Sequence, residues 1–335
     1  MSRPTVGTSS SGIGPPDNEV AGYLLRRLGQ SLILLLLVSV IGFALLHLAP
    51  GGPLAQFTLT PGMTQADMQR IAHQMGLDRP LPIQYWEWFR LMLTGDWGRS
   101  YRDTQPVLWV IGSHLPATFE LMITATLIAI VLGTWVGVLG ALRRYSVFDY
   151  LATVGAMVAL SIPTFWFGLV VIYAFSVKLG WLPAGGMYTI GNGSFLDYLH
   201  HLIGPAMVLA LVTVAIWSRY MRSSMLEVTN QDFVRTAIAK GLPRRVVIVR
   251  HALRNALLPM ITLAGLQLPT LLGGALVTET VFTWPGMGRL FLDSIGYRDY
   301  PVVMGLLMFT ALLVLVGNLA ADLLYAVYDP RIRLD

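Results

Sequence analysis

Six runs free of Asp, Glu, Lys and Arg decide what this chain can fold into. They are Leu28–Leu48, Leu121–Leu142, Leu151–Val177, Leu202–Ser218, Ala256–Thr278 and Val302–Ala321. A helix crosses the hydrocarbon core of a bilayer with about 17 to 25 apolar residues. Every run reaches that length, the fourth only just. Lipid offers no water to pair with backbone N–H and C=O groups, so segments that cross it are helical or part of a closed barrel. Composition agrees: 12% of the residues are charged, against about 25% in soluble domains. The expected fold is an all-α integral membrane protein with six transmembrane helices, and an even number puts both termini on one side.

Charge sets the orientation. With the N-terminus inside, the inner segments hold 15 Lys and Arg, and the outer ones hold 8 spread over more residues. The excess predicts cytoplasmic termini. The net charge of +5 lies in loops between apolar runs, so it reflects membrane topology, and no nucleic-acid partner is expected. Cysteine is absent, which excludes disulfides and thiolate metal sites.

The expected organisation is a disordered cytoplasmic tail over 1–20, rich in Gly, Ser, Thr and Pro, then an uncleaved anchor helix over 21–48 flanked by Arg26 and Arg27. An extracytoplasmic loop over 49–117, a transmembrane core over 118–328 and a cytoplasmic tail over 329–335 complete it. The loop is too long for a plain connector, and it reads as ordered. Thr64 with Asp67 is a capping pair, and Gly76 a stop, together marking a short helix. Pro80 and Pro82 introduce Tyr85, Trp86, Trp88 and Phe89, followed by Trp97, Tyr101 and Trp109. These aromatics suit a belt at the outer membrane face, a reading compatible with a docking surface for an external protein.

Three positions inside or beside the runs are candidates for a pathway or gate. Pro163, in Ser161-Ile162-Pro163, marks a kink or ordinary helix packing in the third run. Glu279 closes the fifth run, where an acid at membrane depth is a site candidate, unless it is hydrated at the outer interface. Asp322 ends the sixth run and is weighed in the same way. His200-His201 invites a metal reading, but neighbours in a helix point in different directions and no further ligand has matching spacing, so no metal is expected.

The most informative loop is 219–255. It carries eight Lys and Arg against two acids, Glu227 and Asp232. Asn230-Gln231-Asp232 can cap a helix over Phe233 to Lys240. Gly241 stops it, and Pro243 begins a second helix carrying Arg244, Arg245, Arg250 and Arg254. Two helical turns are unstable alone in water, so this helix must pack on something. Phe233, Val234 and Ala237 fall on one side, Ala237 and Gly241 keeping the surface shallow, and this surface is expected to meet a protein partner. The alternative is a loop whose Arg residues snorkel along lipid headgroups.

The run Phe233-Val234-Arg235-Thr236-Ala237-Ile238-Ala239-Lys240-Gly241-Leu242, followed by Arg250-His251-Ala252-Leu253-Arg254-Asn255-Ala256, resembles the EAA loop of binding-protein-dependent ABC importer permeases. The first permease subunit of the dipeptide, oligopeptide and nickel branch is the nearer likeness. Tyr23-Leu24-Leu25-Arg26-Arg27, Leu48-Ala49-Pro50-Gly51, Gly76-Leu77-Asp78-Arg79-Pro80, Gly95-Asp96-Trp97-Gly98, Ser161-Ile162-Pro163-Thr164-Phe165 and the stretch from Glu279 to Gly288 are similar to that subunit. Arg235-Thr236-Ala237 stands where the general motif has Glu-Ala-Ala, which weakens assignment by the general motif but not by the branch.

The resemblance implies a type I importer permease fold of six transmembrane helices. It implies a second homologous permease, two cytoplasmic ATP-binding subunits, an external substrate-binding protein and a place in the bacterial inner membrane. It implies that Asp232, Phe233, Val234, Arg235, Thr236, Ala237, Ala239, Lys240 and Gly241 form the helix gripped by an ATPase. ATP and Mg would be used by that partner, with no cofactor bound here. The residues support part of this independently: neither Lys178 nor Lys240 follows a Gly, so no P-loop of the form G-x-x-x-x-G-K-[ST] exists. No H-E-x-x-H occurs either. A non-catalytic subunit importing short peptides is the leading expectation, with nickel chelates, glutathione or another small solute as alternatives. A secondary transporter fits less well, since charged residues inside the runs are nearly absent and no repeat is evident.

Overall fold

The computed structural model describes residues 17–48, 52–54, 63–273 and 275–328. Regular structure among them is helical, with two isolated β-bridges in loops. The helices are α1 (Asp17–Leu48), α2 (Gln65–Gln74), α3 (Leu81–Leu93), α4 (Val107–Leu142) and α5 (Val147–Ser161). Next come α6 (Thr164–Lys178) and α7 (Phe195–Thr229). They are followed by α8 (Asp232–Ala239), α9 (Arg244–Ala256) and α10 (Leu258–Gly273). The last are α11 (Leu276–Val281), α12 (Met287–Gly296) and α13 (Tyr300–Tyr328). Residues 1–16 of the expected N-terminal tail and the expected tail over 329–335 lie outside the described residues. Residues 17–20 are already helical rather than tail.

Among the described residues, four helices are long and apolar enough to cross a membrane: Arg26–Leu48 within α1, then α4, α7 and Tyr300–Asp322 within α13. Two bent pairs bring the total to as many as six. The sequence predicts the third run as one segment with at most a kink, but it breaks into α5 and α6 at an angle of 106°. Proline explains the break, because it pushes the preceding residue out of the helical region. Ile162 is extended, at φ −83° and ψ 126°, and Pro163 begins the new helix. The fifth run is also divided, into α10 and α11.

The centre of the molecule is the pair α4–α7. Its contacts advance in step. Ala125 and Ala129 cluster with Ala210, the backbone of Gly133 faces Trp217, and Gly137 meets Ser218 and Met221. The two helices therefore run parallel. Their approach depends on small residues: a Cβ on Gly137 would lie 2.6 Å from the Ser218 carbonyl oxygen, and one on Gly133 would lie 2.8 Å from the Trp217 Cβ. In lipid, association comes from such close packing, since lipid tails are as apolar as leucine. The Trp217 indole N–H is satisfied within the seam by Thr134 Oγ1 at 3.0 Å.

Other contacts fix the remaining directions. Val107 and Ile111 at the start of α4 cluster with Val302 and Leu306 near the start of α13, so these two helices run the same way. Gly42 near the end of α1 faces Met304 and Leu307, while Arg27 reaches Asp322. Helix α1 is thus antiparallel to α13. One end of the bundle accordingly collects the end of α1 and the starts of α4, α7 and α13.

At that end lie α2 and α3. The Thr64 hydroxyl caps the Asp67 N–H and the Asp67 carboxylate accepts from the Thr64 N–H, the expected box. The Thr64 hydroxyl also donates to the Asp67 carboxylate at 2.6 Å, and that bond, with the one from the Thr64 N–H, holds the Asp67 carboxyl below its ordinary pKa. Gly76 takes the left-handed conformation, at φ +67°. Tyr85, Trp88 and Phe89 turn toward α1, where Phe43 meets the Tyr85 and Trp88 rings and Tyr85 OH pairs with Ser39 at 2.8 Å. Trp86 and Trp109 are exposed. Much of the aromatic set is therefore internal packing, with only part left for a belt or a partner.

A test follows from the seam. Gly137→Val should force α4 from α7 and cost about 1–3 kcal/mol, read as a lower midpoint of thermal unfolding in detergent. Gly155→Ala, where a Cβ meets nothing within 4 Å, should leave the midpoint unchanged or raise it.

Candidate functional site

Two places gather the sequence candidates: the end of the bundle opposite α2 and α3, and a buried carboxylate beside α12.

At the first, α8 spans Asp232–Ala239, so its start is one residue earlier than expected. Gln231 is the N-cap without a side-chain bond, and Asn230 turns back to donate to the Leu226 carbonyl at 2.9 Å. The expected side-chain cap is therefore absent, because Asn230 closes the end of α7 instead. The stop is as expected. Gly241 has φ +73°, its N–H reaches the Ile238 carbonyl, and the Leu242 N–H reaches the Ala237 carbonyl. This is the Schellman closure, which needs a residue free to adopt the left-handed conformation. Pro243 is the N-cap of α9 rather than its first residue.

The faces of α8 differ from the sequence reading. Val234 and Ala237 are 2% and 5% exposed and cluster with Val247 of α9, with Val228 of α7 packed alongside. Ala237 therefore faces the chain's own core and does not form an outward shallow surface. The outward face carries Phe233, Arg235, Thr236 and Ile238, with Ala239, Lys240, Asp232 and Gly241 also exposed. Ile238 is 61% exposed. An amphipathic helix of two turns is thus pinned by its small apolar side, and its other side is bare. Arg244, Arg245, Arg250 and Arg254 are all exposed on α9. The middle of α9, Val247–Leu253, is wound as π-helix, and Ser224 Oγ on α7 donates to the Ala256 carbonyl at 2.9 Å.

Close by, Arg222 of α7 forms a two-pronged pair with Asp149 of α5, at 2.6 and 2.8 Å. Asp149 also accepts from the Tyr145 N–H at 2.9 Å. The sequence reading missed this pair because its partners lie far apart in the chain. Asp322, a gate candidate, lies 2.9 Å from Arg27 Nε, an ion pair without the alignment of a hydrogen bond. It joins α1 to α13 inside this chain.

The second place is built around Glu279. The sequence left open whether this acid was hydrated at the interface; it is 0% exposed. Thr118 Oγ1 of α4 donates to its Oε1 at 2.8 Å, and the N–H groups of Gly288 and Arg289 donate to its Oε2 at 2.8 and 3.1 Å. Those N–H groups belong to the unsatisfied first turn of α12, the positive end of a helix dipole. Glu279 thus caps a helix from a distance. Thr118 Oγ1 in turn accepts from the Met287 N–H, and the Trp284 indole donates to the Ala117 carbonyl, each at 2.8 Å. A Cβ on Gly286 would overlap the carboxyl group, so glycine there makes room for it. Pro163 makes none of the hydrogen bonds of this network and is exposed, at the break between α5 and α6.

One acid escaped the sequence reading. Glu120 stands immediately before the second apolar run and is exposed on α4, its Oε2 accepting from the Tyr198 hydroxyl at 2.7 Å. It borders the uncharged run that begins at Leu121, so run length alone carries no sign of it. His200 and His201 bond to the Trp181 and Asp197 carbonyls, and among the described residues no group of three metal-ligating side chains gathers.

Comparison with known proteins adds independent findings. Residues 129–334 match the family model described as binding-protein-dependent transport system inner membrane component, and residues 20–122 match the N-terminal model of such membrane components. The chain is 45% identical over 316 residues to the oligopeptide transport system permease protein AppB of Bacillus subtilis, covering 94% of this chain and 100% of that protein. It is 42% identical over 334 residues to the di/tripeptide transport system permease protein DppB of Pseudomonas aeruginosa, covering 93% and 98%. It is 38% identical over 333 residues to the dipeptide transport system permease protein DppB of Escherichia coli K12, again covering 93% and 98%.

The buried network yields a prediction. Glu279→Ala strands two backbone donors and a hydroxyl, and should cost about 3 kcal/mol or more, seen as a lower unfolding midpoint. Thr118→Val should cost less, and the double variant should cost less than the sum of the two, because both act in one network.

Proposed function

Because the chain belongs to the family of binding-protein-dependent transport system inner membrane components, we propose that it imports di- and oligopeptides as one of two paired permeases driven by separate ATPase subunits. The chain is a non-catalytic membrane subunit of an ABC transporter. Its named relatives are peptide permeases matched from end to end. The observation that carries the mechanism is α8: a short helix fixed on one side by Val234 and Ala237, with Phe233, Arg235 and Ile238 left outward.

On this reading the chain crosses the membrane six times. Helices α4, α7 and α13 run parallel, so the chain must return between them twice, and the bent pairs α5–α6 and α9–α10 are the segments available. The end bearing α8 carries Arg143, Arg144 and the basic loop 219–255, a charge excess that supports a cytoplasmic position for it and for both termini. The end bearing α2 and α3 then faces outward, where an external binding protein delivers substrate. An ATPase holds the bare face of α8. ATP-driven closure moves α8, and with it α7 and α9, between two arrangements.

Reconstitution with the second permease, the ATPases and the binding protein should give peptide uptake into vesicles that requires ATP. Uptake driven by an ion gradient with no ATPase present would overturn the proposal. For the handle, Ile238→Glu should abolish copurification of the ATPases and leave thermal unfolding of the permease pair unchanged. Ala237→Trp should instead lower the unfolding midpoint, since that side chain is buried against Val247. Normal ATPase binding by the Ile238 variant would exclude this face as the grip.

A further inference from the structure

Glu120 is the single Asp, Glu, Lys or Arg within the 36 residues of α4. It lies on the exposed stripe of that helix with Trp109, Ser113, Pro116, Ile123 and Leu127, at the edge of the contact with α7. A carboxylate in lipid is costly, yet this one sits about 35 Å along the helix from Arg143, at 1.5 Å per residue. With Arg143 at the inner face, that distance puts Glu120 at the outer edge of a hydrocarbon core of about 30 Å, open to the outside. Its recorded partner is neutral: the Tyr198 hydroxyl on Oε2. Among the described residues no Lys, Arg or His nitrogen pairs with it.

The surroundings are aromatic and held in place. The Tyr198 ring meets Tyr188 at 5.6 Å and Trp284 at 6.0 Å in tilted contacts and stacks on Phe195 at 6.4 Å. Tyr188 and Phe195 are exposed, while Trp284 is fully buried and tied by its indole to Ala117, one turn before Glu120 on α4. The next residue after Tyr188 is also fixed, since the Asp197 carboxylate accepts from both the Thr189 N–H and its hydroxyl at 2.7 Å. An anionic oxygen beside presented aromatic faces is the arrangement that attracts an organic cation, through charge-assisted hydrogen bonds and the negative ring faces.

We propose that Glu120, with Tyr198, Tyr188 and Phe195, receives the α-ammonium group of a peptide at the outer mouth of the permease. The proposal rests on the peptide-importer reading above. Glu120 supplies the negative charge and Tyr198 fixes its orientation, leaving Oε1 for the ligand. The charge comes from this chain, so the site selects peptides with a free amino terminus after the binding protein has released them.

The test uses the complete importer in vesicles, with trialanine and N-acetyltrialanine as probes. Glu120→Gln should lower trialanine uptake at saturating binding protein about tenfold, the scale of one lost charge-assisted contact. ATP hydrolysis in the absence of peptide and uptake of the acetylated peptide should stay as in the unmodified complex. Tyr198→Phe should give a smaller loss with the same selectivity. Equal loss of both peptides would make Glu120 a structural residue and overturn the proposal. So would unchanged uptake of both, or loss of the second permease on size-exclusion, which would mark Glu120 as an interface residue. An unmodified complex that hydrolyses ATP but carries neither peptide would instead refute the peptide reading and the site with it.

Discussion

The close parallel contact of α4 and α7 is the constraint on which the other elements depend. A helix pair in lipid gains nothing from hiding apolar surface, because the solvent is itself apolar. It gains from approach, and approach is limited by side-chain size. Ala125, Ala129, Gly133 and Gly137 remove that limit on α4, and Trp217 and Met221 of α7 fill the space. Two parallel helices consecutive among the long spans also dictate the path between them. The chain must travel back the length of the pair, and α5 and α6 are the segment that does so. The 106° break at Pro163 is therefore a bend in a return path whose ends are set by the seam.

Glu279 solves a different problem. The segment from Leu276 to Gly296 turns sharply inside the bundle, which exposes the first N–H groups of α12 where no water can serve them. One carboxylate accepts from two of these groups and from Thr118 on α4. An ionised acid is costly at such a place unless donors surround it, and here three do. The same arrangement explains Gly286, since any side chain there would occupy the carboxyl position. The acid at the end of the fifth run is thus an internal cap that binds α11, α12 and α4 into one unit.

The long elements were legible because apolar run length and charge placement are read directly from sequence. The Thr64–Asp67 box and the Gly241 stop were legible because each is a local motif. What was not legible came from distance or direction. Asp149 and Arg222 are 73 positions apart, and neither carries a local sign of the other. The break at Ile162 follows from a rule about the residue before proline, but its size depends on where α4 and α7 leave the chain. The inward face of α8 was misassigned because a two-turn helix has too few residues to define its buried side. Val247, on the following helix, decides it. Glu120 was passed over because it borders a run and lies outside it, although its exposure on α4 is what sets it apart.

The attachment of α8 bears on how a motor could act through it. A helix of eight residues transmits force only if its anchor is stiffer than its grip. Two different helices hold α8: Val228 at the end of α7 and Val247 in α9. Ser224 on α7 is bonded to the last carbonyl of α9, so those two helices are themselves joined one turn away. Displacement of α8 cannot then be absorbed by α7 or α9 alone. The same α7 carries the seam with α4 and, at its other end, the Tyr198 hydroxyl on Glu120. On the proposed mechanism, a pull at the α8 end of this helix would act on the Tyr198 end through one helix of 35 residues that contains Pro205, giving the two ends of the molecule a common moving part.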